Sequence, residues 1–179
     1  MAIDIAREIE HVHLMQPTIQ NPVIRPAEKN DVPRIFAMIG AIAEYEKLAH
    51  QLEVTEPVLE ESLFSDNPAA RALVATVDNH AIGYAIFFYN FSTFIGKKGI
   101  YLEDIYVENE YRGKGVGDKL FGEVAGIALS EGCSRMEWVA LDWNQSAIDF
   151  YKSRGASKLE EWRLFRFNRS DLEALSNSQ

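Results

Sequence analysis

The apolar positions of this chain switch from a strand-like to a helix-like period across one stretch, Tyr101 to Leu129. Tyr101 to Val107 is an apolar and aromatic run with the composition of a buried strand. A polar segment, Glu108 to Arg112, follows, and then Gly113, Gly115 and Gly117. From Gly117 onward Leu120, Phe121, Val124, Ile127 and Ala128 recur at helical spacing. A strand feeding a glycine-rich turn that opens a helix is an anion-binding arrangement. Glycines let the backbone come close, and the first helical turn offers unpaired N–H groups.

The same reading of period, applied from the N-terminus, predicts the order β-α-α-β-β-β-α-β-α-β, a mixed sheet with helices on both faces. Residues 1–22, with a weak helical period at Ile5, Ile9 and Val12, form an arm outside the core. Val23 to Pro26 is a short first strand, and Asn30 or Asp31 can cap a helix whose apolar face is Val32, Ile35, Phe36, Ile39, Ile42 and Ala43. Thr55 can cap a second helix, Glu56 to Leu63. Arg71 to Val77 and Ala81 to Phe91, on either side of Asp78-Asn79, read as an antiparallel hairpin, and Ser92 to Gly99 connects it to the central strand. Met136 to Leu141 is expected as a buried strand, and Gln145 to Arg154 as a helix ended by Gly155. Trp162 to Phe167 is expected as a last strand and Asp171 to Leu175 as a short final helix. Residues 23–175 are expected to form one domain, with 176–179 as a tail.

Composition narrows what this architecture can do. A net charge of -9 over 179 residues argues against nucleic acid as a partner and suits a small cationic ligand. No apolar run approaches the ~20 residues of a membrane span. The acidic residues Asp4, Glu8 and Glu10 do not suit a signal peptide. One cysteine, Cys133, excludes an internal disulfide and suits a reducing cytoplasm. Cys133 lies between Gly132 and Ser134 with no histidine nearby, so a structural thiol is favoured over an acyl-cysteine nucleophile. His11, His13, His50 and His80 are dispersed without metal-ligand spacing, so no metal is implied.

The glycine turn is neither a P-loop, since no Gly-Lys-Ser/Thr follows, nor a good dinucleotide fingerprint, whose acidic residue is expected ~20 positions on. Arg-x-x-Gly-x-Gly, with Arg112, Gly115 and Gly117, resembles the acetyl-CoA pyrophosphate loop of the GNAT superfamily of N-acetyltransferases. Trp143-Asn144 and Phe150 to Ala156 are similar to that superfamily's later helix motif. Ile24 to Ala27, Glu44 to Glu46, Phe94 to Lys97, Tyr101 to Asp104, Tyr111 to Gly113 and Trp162 to Phe165 resemble the diamine acetyltransferases, which act on spermidine, spermine or thialysine. Phe94 departs from the tryptophan usual in the polyamine enzymes, Ala147 stands where they have serine, and one residue is missing before Trp162. These departures bear on which amine is taken, not on acetyl transfer.

The resemblance implies a GNAT-like, mainly antiparallel sheet of six to seven strands, acetyl-CoA as co-substrate, and a homodimer. It implies direct transfer to a primary amine, which must lose a proton before attack. Glu103 is the implied base and Tyr151 the implied acid for the leaving thiolate. Backbone N–H groups of Ile105, Tyr106 and Val107 would hold the acetyl and pantetheine groups. Arg112, Gly113, Lys114, Gly115, Val116, Gly117 and Asp118 would bind pyrophosphate, and Asn144 the pantetheine arm. Lys114 could equally be a solvated loop lysine, and Asn144 a helix cap. Tyr45, Glu46, Asp104, Trp143 and Glu161 would line the amine path, where aromatic faces and carboxylates suit a long cation. Strand alternation sends Glu103 and Asp104 to opposite faces unless a bulge re-aims one of them. The rivals are a transferase for a protein lysine or N-terminus, and a non-catalytic acetyl-CoA sensor.

Overall fold

A computed structural model describes residues 21–178; the arm expected over residues 1–22 falls almost wholly outside them. The elements are β1 (Val23–Pro26), α1 (Val32–Tyr45), α2 (Glu56–Phe64), β2 (Arg71–Val77), β3 (His80–Ser92), β4 (Lys97–Val107), α3 (Val116–Ser130), β5 (Met136–Glu137), α4 (Gln145–Lys152) and α5 (Arg169–Asn177). They fall into two compact units, one ending at Val139 and one beginning at Ala140.

The first unit is built on one sheet of order β1-β2-β3-β4-β5. Neighbours from β1 to β4 run antiparallel, whereas β5 pairs parallel with β4. The β2–β3 turn is Asp78-Asn79, both at positive φ (49° and 63°), the geometry that matches the twist of a two-residue hairpin. Successive residues of β2 and β3 divide between two cores. Leu73, Ala75, Ile82, Ala85 and Phe87 pack against Val116, Leu120, Val124 and Ala128 of α3. Val74, Ala81, Tyr84 and Ile86 pack against Val32, Ile35 and Met38 of α1 and Leu59 and Leu63 of α2. The i, i+4 spacing of the buried α3 positions is what lays that helix along the sheet, each buried Leu or Val contributing about 1.5–3 kcal/mol.

Outside the cores, Arg25 grips the buried Asp31 with two hydrogen bonds (2.6 and 2.9 Å). Asp31 therefore does not cap α1 with its side chain; it accepts the Glu28 N–H instead, at 2.8 Å. At the far end of α3, Glu131 accepts hydrogen bonds from Arg71, Tyr89 and Lys98, joining the helix to three strands. These bonds, that of Tyr89 first, hold its carboxyl down at about 2.

Three expectations about strands are corrected. Among the described residues the sheet has five strands, not six or seven. Met136 to Leu141 contributes only Met136–Glu137, paired with Ile100 and Tyr101. The pairing stops just before a bulge in β4, and a bulge twists a strand away from its neighbour. Trp162 to Phe167 is not a strand. Its β-favouring side chains (Trp162, Leu164, Phe165 and Phe167) are exposed, and such residues favour a strand only where a ladder partner and a packed surface exist. The final helix is present and longer than expected, at Arg169–Asn177.

Candidate active site

The chemistry of the first unit gathers around the bulge in β4. Ile86 pairs with Asp104 but the next residue, Phe87, pairs with Leu102, so Glu103 is the extra residue. Its effect on alternation is complete. Ile100 and Leu102 belong to the core under α3, and so do Ile105 and Val107. Even-numbered residues thus face α3 before the bulge and odd-numbered ones after it. Asp104 and Tyr106 are thereby turned to the α1 side, with Tyr84 of β3. The condition under which Glu103 and Asp104 could act together is met.

On that side the carboxylates feel one another. The half-buried Asp104 carboxyl is pushed up to about 6. Burial is the main cause, the charges of Glu103 and Glu46 add to it, and a hydrogen bond from Tyr84 pulls the other way. Glu46, just past the end of α1, is also raised by burial. The Tyr84 hydroxyl donates to Asp104 Oδ2 at 3.4 Å. Its own pKa is driven well above the usual value by burial first and the Asp104 charge second, so it remains a protonated donor. Glu103 itself is exposed.

The glycine turn adjoins this cluster through Arg112. Its Nε donates to the Val107 carbonyl (2.8 Å), and its guanidinium lies over the rings of Tyr45 (5.2 Å) and Tyr106 (5.3 Å). Arg112 therefore ties the end of β4 to the end of α1, a role not anticipated from its motif position. Gly113 and Gly115 both take left-handed φ (69° and 78°), and a Cβ on either would meet nothing within 4 Å. Gly115 is the N-cap of α3 and brings no side chain to the first-turn N–H groups of Val116 and Gly117. Those donors thus suit the phosphates of a CoA-type co-substrate. Lys114 is exposed, with its ammonium 5.8 Å from the Tyr111 ring, while the Val116 side chain is core, so only its backbone can contribute.

Beyond Tyr101, β4 has no strand neighbour on its β5 side among the described residues, so that edge can receive a ligand's polar groups. Gly83 allows the other side to close up: a Cβ there would stand 2.7 Å from the Tyr106 carbonyl oxygen.

The second unit carries the remaining candidates. Asn144 caps α4, its Oδ1 accepting the Ala147 N–H at 3.2 Å. Tyr151 is half-buried near the end of α4, edge-to-face with Phe150 (centroids 5.3 Å, 79°). Gly155, at φ 84°, ends the turn while the Ala156 N–H bonds the Tyr151 carbonyl (3.2 Å). Trp143 and Glu161 are exposed. Sequence reasoning did not single out Tyr84, or Tyr106 as a ring. The available signal was the adjacent Glu103-Asp104 pair inside an apolar strand, where regular alternation would force one charge into a core.

An acidic cluster beside a bare glycine turn and an open strand edge is the equipment of a transferase that holds an anionic co-substrate near a cationic acceptor. The solved structure of an integron cassette protein from Vibrio cholerae shares the fold, with a TM-score of 0.73 and 26% identity over 88% of this chain and 98% of that one. Residues 38–156 match the model of the acetyltransferase (GNAT) family, and the chain belongs to that family. It is 40% identical over 165 residues to a thialysine N-epsilon-acetyltransferase of Sus scrofa, covering 86% of this chain and 96% of that protein. It is 36% identical over 159 residues to spermidine/spermine N(1)-acetyltransferase-like protein 1 of Homo sapiens, covering 83% of this chain but 23% of that protein. Among the described residues no helix is long and apolar enough to cross a membrane, and no group of three or more His, Cys, Asp or Glu is placed to hold a metal ion.

Proposed function

We propose that this protein transfers an acetyl group from acetyl-CoA to a primary amine of a small di- or polyamine, in the spermidine or thialysine class. The observation that carries the reading is the half-buried Asp104, turned by the bulge into the field of Glu103 and Glu46. Several carboxylates on one side of a sheet attract a cation bearing more than one ammonium. The names of the two acetyltransferase relatives point the same way.

The amine arrives protonated, with an ordinary pKa of about 10.4, and Asp104 and Glu46 hold the charge of the substrate's second ammonium. Glu103 takes the proton from the attacking nitrogen, directly or through a water. The nitrogen–carbon bond forms, the carbon–sulfur bond breaks, and Tyr151 supplies a proton to the departing sulfur. The backbone of Ile105 to Val107 steadies the carbonyl oxygen as it gains charge. Gly113 to Asp118, with Lys114 and Arg112, receives the pyrophosphate, and Asn144 the pantetheine arm. Tyr45, Trp143 and Glu161 line the amine's path. Residues 23–175 work as one domain, in a cytoplasmic homodimer.

Thiol release from acetyl-CoA should be measured over spermidine, putrescine, thialysine, lysine and a histone-like peptide. Spermidine or thialysine is expected to be turned over fastest. Turnover of the peptide alone would overturn the choice of substrate, and silence with every acceptor would leave only an acetyl-CoA-binding protein. Tyr151→Phe should lower kcat by about 100-fold at unchanged acetyl-CoA affinity. Near wild-type kcat at the pH optimum would remove Tyr151 from the acid's role.

A further inference from the structure

Among the described residues Tyr84 is the largest wholly buried side chain, yet it keeps a hydroxyl where phenylalanine would fill the same volume. A buried hydroxyl costs free energy unless it is hydrogen-bonded. The partner the structure gives it is a carboxylate on the neighbouring strand, Asp104. Tyr84 pairs across the ladder with Tyr106, and Ile86 with Asp104, so Tyr84 and Asp104 are diagonal neighbours on one face. That relation exists only because the extra residue Glu103 inverts the alternation of β4.

We propose that Tyr84 is a positioning residue for the amine site: its buried hydroxyl, rooted in the β3 backbone, holds Asp104 Oδ2 so that the other carboxylate oxygen is presented to the ammonium. This rests on the amine acetyltransferase reading above. Tyr84 has little freedom to follow another position. Its ring belongs to the same buried core as Val32, Ile35 and Met38 of α1 and Leu59 and Leu63 of α2, and stands 6.3 Å from that of Tyr106. A donor anchored beside one oxygen favours one plane for a carboxylate that would otherwise turn freely about its last bond.

The titratable groups facing Asp104 are Tyr84 from β3, Glu103 and Tyr106 from β4 itself, and Glu46 from the end of α1, while Arg112 stands over Tyr106. The element α2 presents Leu59 and Leu63 to this face. Two of these neighbours are carboxylates that oppose ionisation of Asp104, and the Tyr84 hydroxyl favours it. Losing the hydroxyl alone therefore both frees the carboxylate to rotate and makes it easier to protonate.

Tyr84→Phe keeps the ring and removes the contact. KM for spermidine should rise several-fold while kcat and the KM for acetyl-CoA stay within twofold. The acid limb of kcat/KM should move to higher pH by about half a unit. A carbon-detected NMR titration of the Asp104 carboxyl, in wild type and Tyr84→Phe, should show the same upward move without any substrate present. An unchanged acid limb together with an unchanged Asp104 titration would overturn the inference. Equal losses for both substrates at every pH would assign Tyr84 a purely structural role and overturn it as well. Failure of the wild-type enzyme to use any diamine would instead strike the functional reading, and the NMR comparison would still decide whether Tyr84 controls Asp104.

Discussion

The two faces of the sheet in the first unit are cut from the same strands, yet they bury different things. Under α3 lie Leu73, Ala75, Ile82, Phe87, Ile100, Leu102 and Val107, and the charges of that side are kept at its margin, where Glu131 binds Arg71, Tyr89 and Lys98. On the α1 side the apolar layer is interrupted by Tyr84, Asp104 and Tyr106, with Glu46 beside them. A carboxyl raised by burial is a cost to the fold, whereas one lowered by partners is a gain. The α3 side thus has the makeup of a scaffold, whereas the α1 side carries a carboxyl whose burial costs the fold stability, at the site proposed above.

The largest test of that division is Leu120→Ala, on the scaffold side. Leu120 is fully buried, so its truncation should cost about 3 kcal/mol in urea-melt stability while KM for the amine stays within twofold. A marked loss of amine affinity without loss of stability would break the contrast. Asp104→Asn should do the reverse. Its kcat/KM for a diamine should fall by about 100-fold, roughly 2.7 kcal/mol in the transition state. Its stability should move the other way. Because the folded pKa of Asp104 is raised from 3.8 to about 6, the folded state binds more protons between those values and loses stability as pH rises through them. At pH 8 the Asn variant should therefore melt about 2–4 °C above wild type. A lower Tm at pH 8 would mean that Asp104 is a structural residue.

Smaller effects sharpen the picture. Gly115→Ala forces a side chain into a left-handed conformation, at about 1 kcal/mol. The KM for acetyl-CoA should rise several-fold while that for the amine holds, which steady-state kinetics would show. Glu131→Gln should cost about 0.5 kcal/mol at pH 7, because the group is partly exposed and screened. Its folded pKa is lowered from 4.5 to about 2, so that contribution exists above about pH 4.5 and fades as pH falls toward 2. Urea midpoints of wild type and variant should converge near pH 2. A difference that persists there would mean that packing, not charge, holds the α3 margin.

Much of this was legible in the residues. Strand period, the Asp78-Asn79 turn and the i, i+4 stripe of α3 are local signals, and the structure repeats them. The glycine turn was legible because a left-handed N-cap calls for glycine at Gly115. What escaped was set by distant partners. The bulge at Glu103 depends on the register with β3, and no local pattern states a register. Met136 to Leu141 and Trp162 to Phe167 have strand composition, but a strand exists only with a neighbour to complete its hydrogen bonds. Arg112 was read from its motif, whereas its stacking with Tyr45 depends on where α1 ends.

The most direct test is the ratio of kcat/KM for a diamine to that for a monoamine of equal chain length, in wild type and in Asp104→Asn. Wild type should favour the diamine by about 100-fold at pH 7.5, equivalent to roughly 2.7 kcal/mol of selective attraction, and Asp104→Asn should bring the ratio close to one. A wild-type ratio near one, or a ratio that survives in Asp104→Asn, would contradict an α1-side site built to read a second positive charge.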